Sequence, residues 1–204
     1  MDVLTYTVLT DGPSDRRLIP VINWTLGQHT TRAIVGTWAD LYIARPKPIS
    51  LSERIAAAVG YFPAMMLFVQ RDSEARPADE RLEQIREASV GLAVPIVEVV
   101  TVRMQEAWFL FDEDAIRAAS GNPRGTEALN MPPMASVEGL PDPKAALISL
   151  LRQASGLSGR HLRRFDHSRA AYRVSELIDD YSPLRTLPAF AAYEQRLVDR
   201  LALM

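Results

Sequence analysis

An α/β fold, a parallel sheet flanked by helices with a helical C-terminal extension, is what this 204-residue sequence predicts. Three observations point there. Short β-rich apolar runs alternate with helix-forming segments through the first 120 residues, the pattern of strand–helix–strand units. One of those runs, Ala64-Met65-Met66-Leu67-Phe68-Val69-Gln70, stays apolar up to its last residue, as a strand covered on both faces must. Beyond residue 120 the strand-like runs stop and helical periodicity takes over.

The elements follow in order. Val3–Leu9 is the first strand, ended by Thr10-Asp11-Gly12-Pro13. Ser14 is placed to cap a helix over 15–27, with Pro20 near its start or kinking it. Ala33–Trp38 supplies a second strand, and Ser50 or Ser52 starts a helix over 51–60. After the third strand, 64–70, Pro77 opens a charged amphipathic helix to about residue 89, with Leu82, Ile85, Ala88 and Ser89 inward. Residues 95–102 form the fourth strand. Residues 122–143 are rich in Pro, Gly and Met without a period and read as a long loop, whereas 144–154, 168–179 and 188–203 read as helices. The expected division is an α/β core over 1–120 and a loop and helical part over 121–204 packed on it.

Composition excludes several classes. With 48% hydrophobic and 24% charged residues the chain is neither disordered nor a disulfide-stapled miniature. The net charge of -2 provides no global field for nucleic acid, so any basic surface must be local. The absence of cysteine removes thiol catalysis and thiolate zinc sites, and His29, His161 and His167 match no zinc spacing. No stretch reaches the roughly 18–20 apolar residues that span a bilayer, and the N-terminus lacks a signal-peptide pattern. A soluble cytoplasmic protein is the expectation.

Acidic residues fall at strand ends. Asp11 follows the first strand, Asp72 and Glu74 the third, and Glu106 and Asp112 the fourth. In extended chain, residues i and i+2 point the same way, so Asp72 and Glu74 can reach one point beside the other strand ends. Carboxylates gathered in a crevice repel unless a cation such as Mg²⁺ or Mn²⁺ is present. The same acids also suit helix caps and solvated loops, and spacing alone leaves both uses open.

These segments resemble a known family. Val8-Leu9-Thr10-Asp11-Gly12-Pro13-Ser14-Asp15 resembles the first TOPRIM motif, a strand followed by Glu-Gly-x-x-Asp. Leu67-Phe68-Val69-Gln70-Arg71-Asp72-Ser73-Glu74 resembles the second, an apolar strand ending in Asp-x-Asp. Val102-Arg103-Met104-Gln105-Glu106-Ala107-Trp108-Phe109-Leu110-Phe111-Asp112 and the ending Leu187-Pro188-Ala189-Phe190-Ala191-Ala192-Tyr193 resemble an uncharacterised TOPRIM-related bacterial family. Asp11 stands where that pattern has Glu, and Glu74 where it has Asp. The resemblance implies a TOPRIM-like sheet and a Mg²⁺- or Mn²⁺-dependent nuclease cutting DNA or RNA, similar to overcoming-lysogenization-type nucleases and phage-defence effectors. Asp72 and Glu74 would hold the ion, Asp11 would be a further ligand or acid/base, and Glu106 a second-metal ligand. The runner-up is a non-catalytic partner subunit that retains the fold and binds an ABC-type ATPase or nucleic acid.

One more cluster stands out. Between residues 152 and 173 lie six arginines (Arg152, Arg160, Arg163, Arg164, Arg169 and Arg173) against one acid, Asp166. The guanidinium fork suits phosphate, so this segment is either a nucleic-acid surface or a solvated face of a chain with only two lysines. Trp108, Phe109 and Phe111 sit in an apolar run and read as core. No P-loop, G-x-G-x-x-G or G-x-S-x-G motif is present.

Overall fold

The structure, a computed structural model, describes residues 2–204 apart from Ala75, and excludes the side chains of Pro13 and Ser14. The expected cap at Ser14 therefore lies outside the described residues. Two compact units are present: Met1–Val102 together with Pro188–Met204, and Arg103–Leu187. The division thus falls at 102 and 187, not at 120. The last helix belongs to the sheet unit.

In the sheet unit four strands, β1 (Val3–Leu9), β2 (Ala33–Trp38), β3 (Met66–Asp72) and β4 (Ile96–Thr101), form an all-parallel sheet in the order β2-β1-β3-β4. The helices are α1 (Leu18–His29), α2 (Leu51–Tyr61), α3 (Ala78–Ala88) and, after the second unit, α8 (Pro188–Leu201). Between Gly12 and α1 the chain makes a 3-10 turn, Pro13–Arg17, so the helix starts later than its composition suggests and Pro20 sits harmlessly in its first turn.

Strand parity sorts the core. Leu9, Leu67, Val69, Ile96 and Val100 pack with Ile55 and Ala58 of α2 and Ile85 of α3. On the opposite face Tyr6 and Phe68 meet edge-on at 5.0 Å between centroids, and Phe68 meets Tyr193 of α8 at 6.4 Å. Burial pushes the Tyr6 phenol up, so it stays protonated and donates to Asn23 Oδ1 at 2.9 Å. Gly36 of β2 lets that ring lie close, because a Cβ there would stand 2.3 Å from it.

β4 is an edge strand whose outward carbonyls would template another chain. Two arginines of α8 take that place: Arg196 Nε donates to Glu98 O at 3.0 Å and Arg200 Nε to Ile96 O at 2.9 Å. Burial lowers the pKa of Arg196.

Ser50 rather than Ser52 starts α2. Its Oγ accepts from the Glu53 backbone at 3.2 Å, while the Glu53 carboxylate accepts from the N–H groups of Ile49 (2.7 Å) and Ser50 (3.0 Å). Those backbone hydrogen bonds hold the Glu53 carboxyl below its usual range. Its stabilising effect is therefore present above the ordinary glutamate pKa and lost as pH falls through the lower folded value. Ser50→Ala should cost about 1 kcal/mol in denaturant unfolding, and Glu53→Gln should flatten the acid limb of the stability curve.

The second unit is helical: α4 (Glu113–Ala119), α5 (Pro143–Ala154), α6 (Gly159–Arg163) and α7 (His167–Leu177), with 3-10 turns at Gln105–Phe109, Met134–Gly139 and Ser182–Thr186. Trp108 and Phe109 are buried, as expected, together with Ile116, Leu147, Leu151 and Val174. The segment read as one long loop contains the turn at Met134–Gly139.

Candidate functional site

A β2-β1-β3-β4 order places the sheet's switch point between β1 and β3. The chain leaves β1 toward β2 on one side and returns to lay β3 on the other. In open parallel sheets, ligands settle beyond the carboxyl ends of the strands at such a point. Asp11 and Asp72 both arrive there, Asp11 just after β1 and Asp72 as the last residue of β3, and Gln70 joins them. Its Oε1 accepts from the Asp11 backbone N–H at 3.4 Å, and its Nε2 donates to Asp72 Oδ1 at 2.8 Å.

The two carboxylates nevertheless have different neighbours, and parity explains it. Leu9 pairs with Val69. Continuing that register sets Asp11 against Arg71, on the face of Leu9 and α2. Arg71 Nε accordingly donates to Asp11 Oδ2 at 3.0 Å, and Arg54 of α2 reaches Asp11 Oδ1 at 3.4 Å and the Thr10 carbonyl. Asp72 pairs with Thr101 across β3–β4 and lies on the other face, where Thr101 Oγ1 donates to its Oδ1 at 2.6 Å.

Asp72 closes β3 instead of following it, since the strand runs two residues beyond the expected end. The extended spacing that would align Glu74 with Asp72 ends there. Glu74 takes a left-handed backbone with φ 55°, and its exposed carboxylate stands 3.3 Å from Arg81 Nη2. Arg81 also donates from Nε to the Asp72 carbonyl at 3.1 Å, tying α3 to the strand end. Asp11 and Asp72 are thus brought to neighbouring strand ends, and Glu74 turns to α3.

In the helical unit Glu106 is buried, with Lys144 Nζ 3.8 Å from its Oε1. Asp112 caps α4 by accepting from the Ala115 N–H at 2.8 Å. Arg160, Arg163 and Arg164 occur at i, i+3 and i+4 on α6 and its C-cap, and Arg169 and Arg173 at i, i+4 on α7. All five and Arg152 are exposed, while Ala170, Ala171 and Val174 take the inner stripe of α7. Among the described residues none of the six side chains forms an ion pair. The one acid of the segment, Asp166, caps α7 at the Arg169 N–H, 2.9 Å away.

Magnesium requires several hard oxygens converging on one point. Here Asp11 lies between two guanidiniums, Asp72 Oδ1 accepts from a hydroxyl and an amide, and Glu74 faces Arg81. Among the described residues no three of His, Cys, Asp and Glu form a group that could hold a metal ion. As placed, these side chains do not make up a magnesium centre.

Gln70, Arg54, Arg71 and Thr101 are the members of this strand-end network that sequence reasoning did not single out. Gln70 carried a signal, a lone amide ending an apolar run. No helix is long and apolar enough to cross a membrane among the described residues. Comparison with known proteins finds no matching family model, no matching curated protein and no matching solved structure.

Proposed function

We propose that the protein binds nucleic acid through the arginine face of its helical unit. The observation that carries this is the concentration, between residues 152 and 173, of six exposed arginines without carboxylate partners among the described residues. Arginines used structurally in this chain are engaged, as Arg54, Arg71, Arg81, Arg117, Arg196 and Arg200 are. The six are not, and guanidinium forks left in water are suited to phosphate oxygens. Contacts of this kind are independent of sequence and steeply salt-dependent.

A second reading, hydrolysis of the bound strand by a metal-dependent nuclease, is favoured by the arrival of Asp11 and Asp72 at the switch point. It requires these carboxylates and Glu74 to leave their present partners for Mg²⁺ or Mn²⁺. Fluorescence anisotropy of labelled single-stranded RNA and DNA tests the binding, and incubation of the same strands with Mg²⁺, Mn²⁺ or EDTA tests cleavage. Asp72→Asn separates charge from structure, because the amide oxygen can still accept from Thr101 and Gln70. On the nuclease reading this variant folds normally and cuts no more than the EDTA control. Cleavage at the wild-type rate would remove Asp72 from the chemistry and leave the binding reading in place.

A further inference from the structure

The ends of β1 and β2 open into a cleft of about 270 Å³, lined by Thr10, Gly12, Trp38, Tyr42, Lys47 and Arg54 among others. Its aromatic wall is fixed. Trp38 Nε1 donates to Thr10 Oγ1 at 3.0 Å, and that hydroxyl donates to the Gly12 carbonyl at 2.8 Å, so the indole is anchored by its polar edge. Tyr42 is 69% exposed, and Lys47 Nζ stands 5.8 Å from its ring centroid.

The cleft lining carries two cations, Lys47 and Arg54, and two acids, Asp11 and Asp40, and Arg71 beside it adds a third cation facing Asp11. The single charge of Asp11 faces both Arg54 and Arg71, which leaves an unbalanced positive charge. Lys47 adds another and has no carboxylate partner among the described residues. The carboxylate of Asp40 is turned to the Tyr42 backbone N–H at 3.1 Å. A ligand that matches this lining has a flat aromatic part and a compact anionic group. The volume lies just below the usual range of ligand pockets, ~300–1,000 Å³, so the cleft has room for one nucleotide unit at most and not for a dinucleotide cofactor.

We propose that the cleft binds a nucleoside 5′-phosphate, with the base against Tyr42 and Trp38 and the phosphate at Lys47. It lies wholly in the sheet unit and does not depend on the arginine face.

Isothermal titration with AMP, GMP, CMP, UMP, adenosine and inorganic phosphate tests the assignment on the wild type, Tyr42→Ala and Lys47→Ala. Both side chains are exposed, so neither change disturbs packing, and thermal melts verify this. At least one monophosphate is expected to bind saturably, with affinity about tenfold lower in each variant, since both base stacking and a charge-assisted phosphate contact contribute on that scale. Adenosine and inorganic phosphate should each bind at least about tenfold more weakly than the best monophosphate, because each lacks one half of the recognition. A 5′-phosphorylated dinucleotide distinguishes the source: tighter binding than the monophosphate assigns the cleft to a strand end, weaker binding to a free nucleotide. Failure of all four monophosphates to bind at millimolar concentration overturns the proposal, as does binding that neither Tyr42→Ala nor Lys47→Ala weakens.

Discussion

Replacing Arg160, Arg163 and Arg164 together by alanine is expected to weaken binding of single-stranded RNA or DNA by about two orders of magnitude at ~0.1 M salt. Each arginine that neutralises a phosphate releases a counterion, and removing one makes the slope of log K against log salt shallower by about 0.7 for a single strand. Three removals change the slope by about 2. Extrapolated to ~1 M salt, where the counterion contribution vanishes, the two proteins should converge, so tenfold dilution separates them by that same two decades. The three side chains are exposed on α6 and its C-cap and engage no carboxylate, so unfolding midpoints should stay within the usual narrow range of surface substitutions. Equal affinity and slope in the triple variant would mark the segment as a solvated face.

Phe68→Ala should cost about 3–5 kcal/mol in urea unfolding. Phe68 is fully buried near the middle of β3, between Tyr6 of β1 and Tyr193 of α8. Truncation removes both edge contacts and leaves a cavity that neither ring can close: Tyr6 is held by its hydrogen bond to Asn23, and the Tyr193 ring is also packed on Phe190 at 5.6 Å. A loss of that size is a large part of the ~5–15 kcal/mol by which domains are usually stable. Phe68→Leu should lose less than half as much, since most of the volume stays.

Much of the sheet was legible because it obeys simple rules. Each of the four β-rich runs before residue 103 became a strand, and the helices between them forced parallel pairing. The start of α2 was legible only as Ser50 or Ser52, and the capping box of Ser50 with Glu53 decides between them. What escaped was decided by register. Whether Asp11 meets Asp72 or Arg71 depends on one residue of parity, and nothing in either segment alone states how β1 and β3 align. The two-residue shift of β3 from the expected span puts Asp72 in the ladder beside Thr101 and ends the extended chain before Glu74.

Long-range partners were likewise invisible. Arg196 and Arg200 finish the edge of β4 from about a hundred residues away, so the last helix was assigned to the wrong unit. The helix α4 was missed although Asp112, followed by Glu113 and Asp114, has the composition of a helix start. Seven residues are too few to show a period. The five-residue α6 offered even less, since its residues Gly-Arg-His-Leu-Arg have no apolar stripe. The arginine cluster, by contrast, was visible in composition, and only the exposure of its side chains needed coordinates.

The most direct measurement is the salt dependence of wild-type binding to a labelled single strand of scrambled sequence, followed by anisotropy from low to physiological ionic strength. Six arginines contacting phosphate predict that log K falls with log salt at a slope of about −4, with little difference between unrelated sequences. A slope near zero, or no binding even at low salt, would contradict the assignment of the arginine face to nucleic acid.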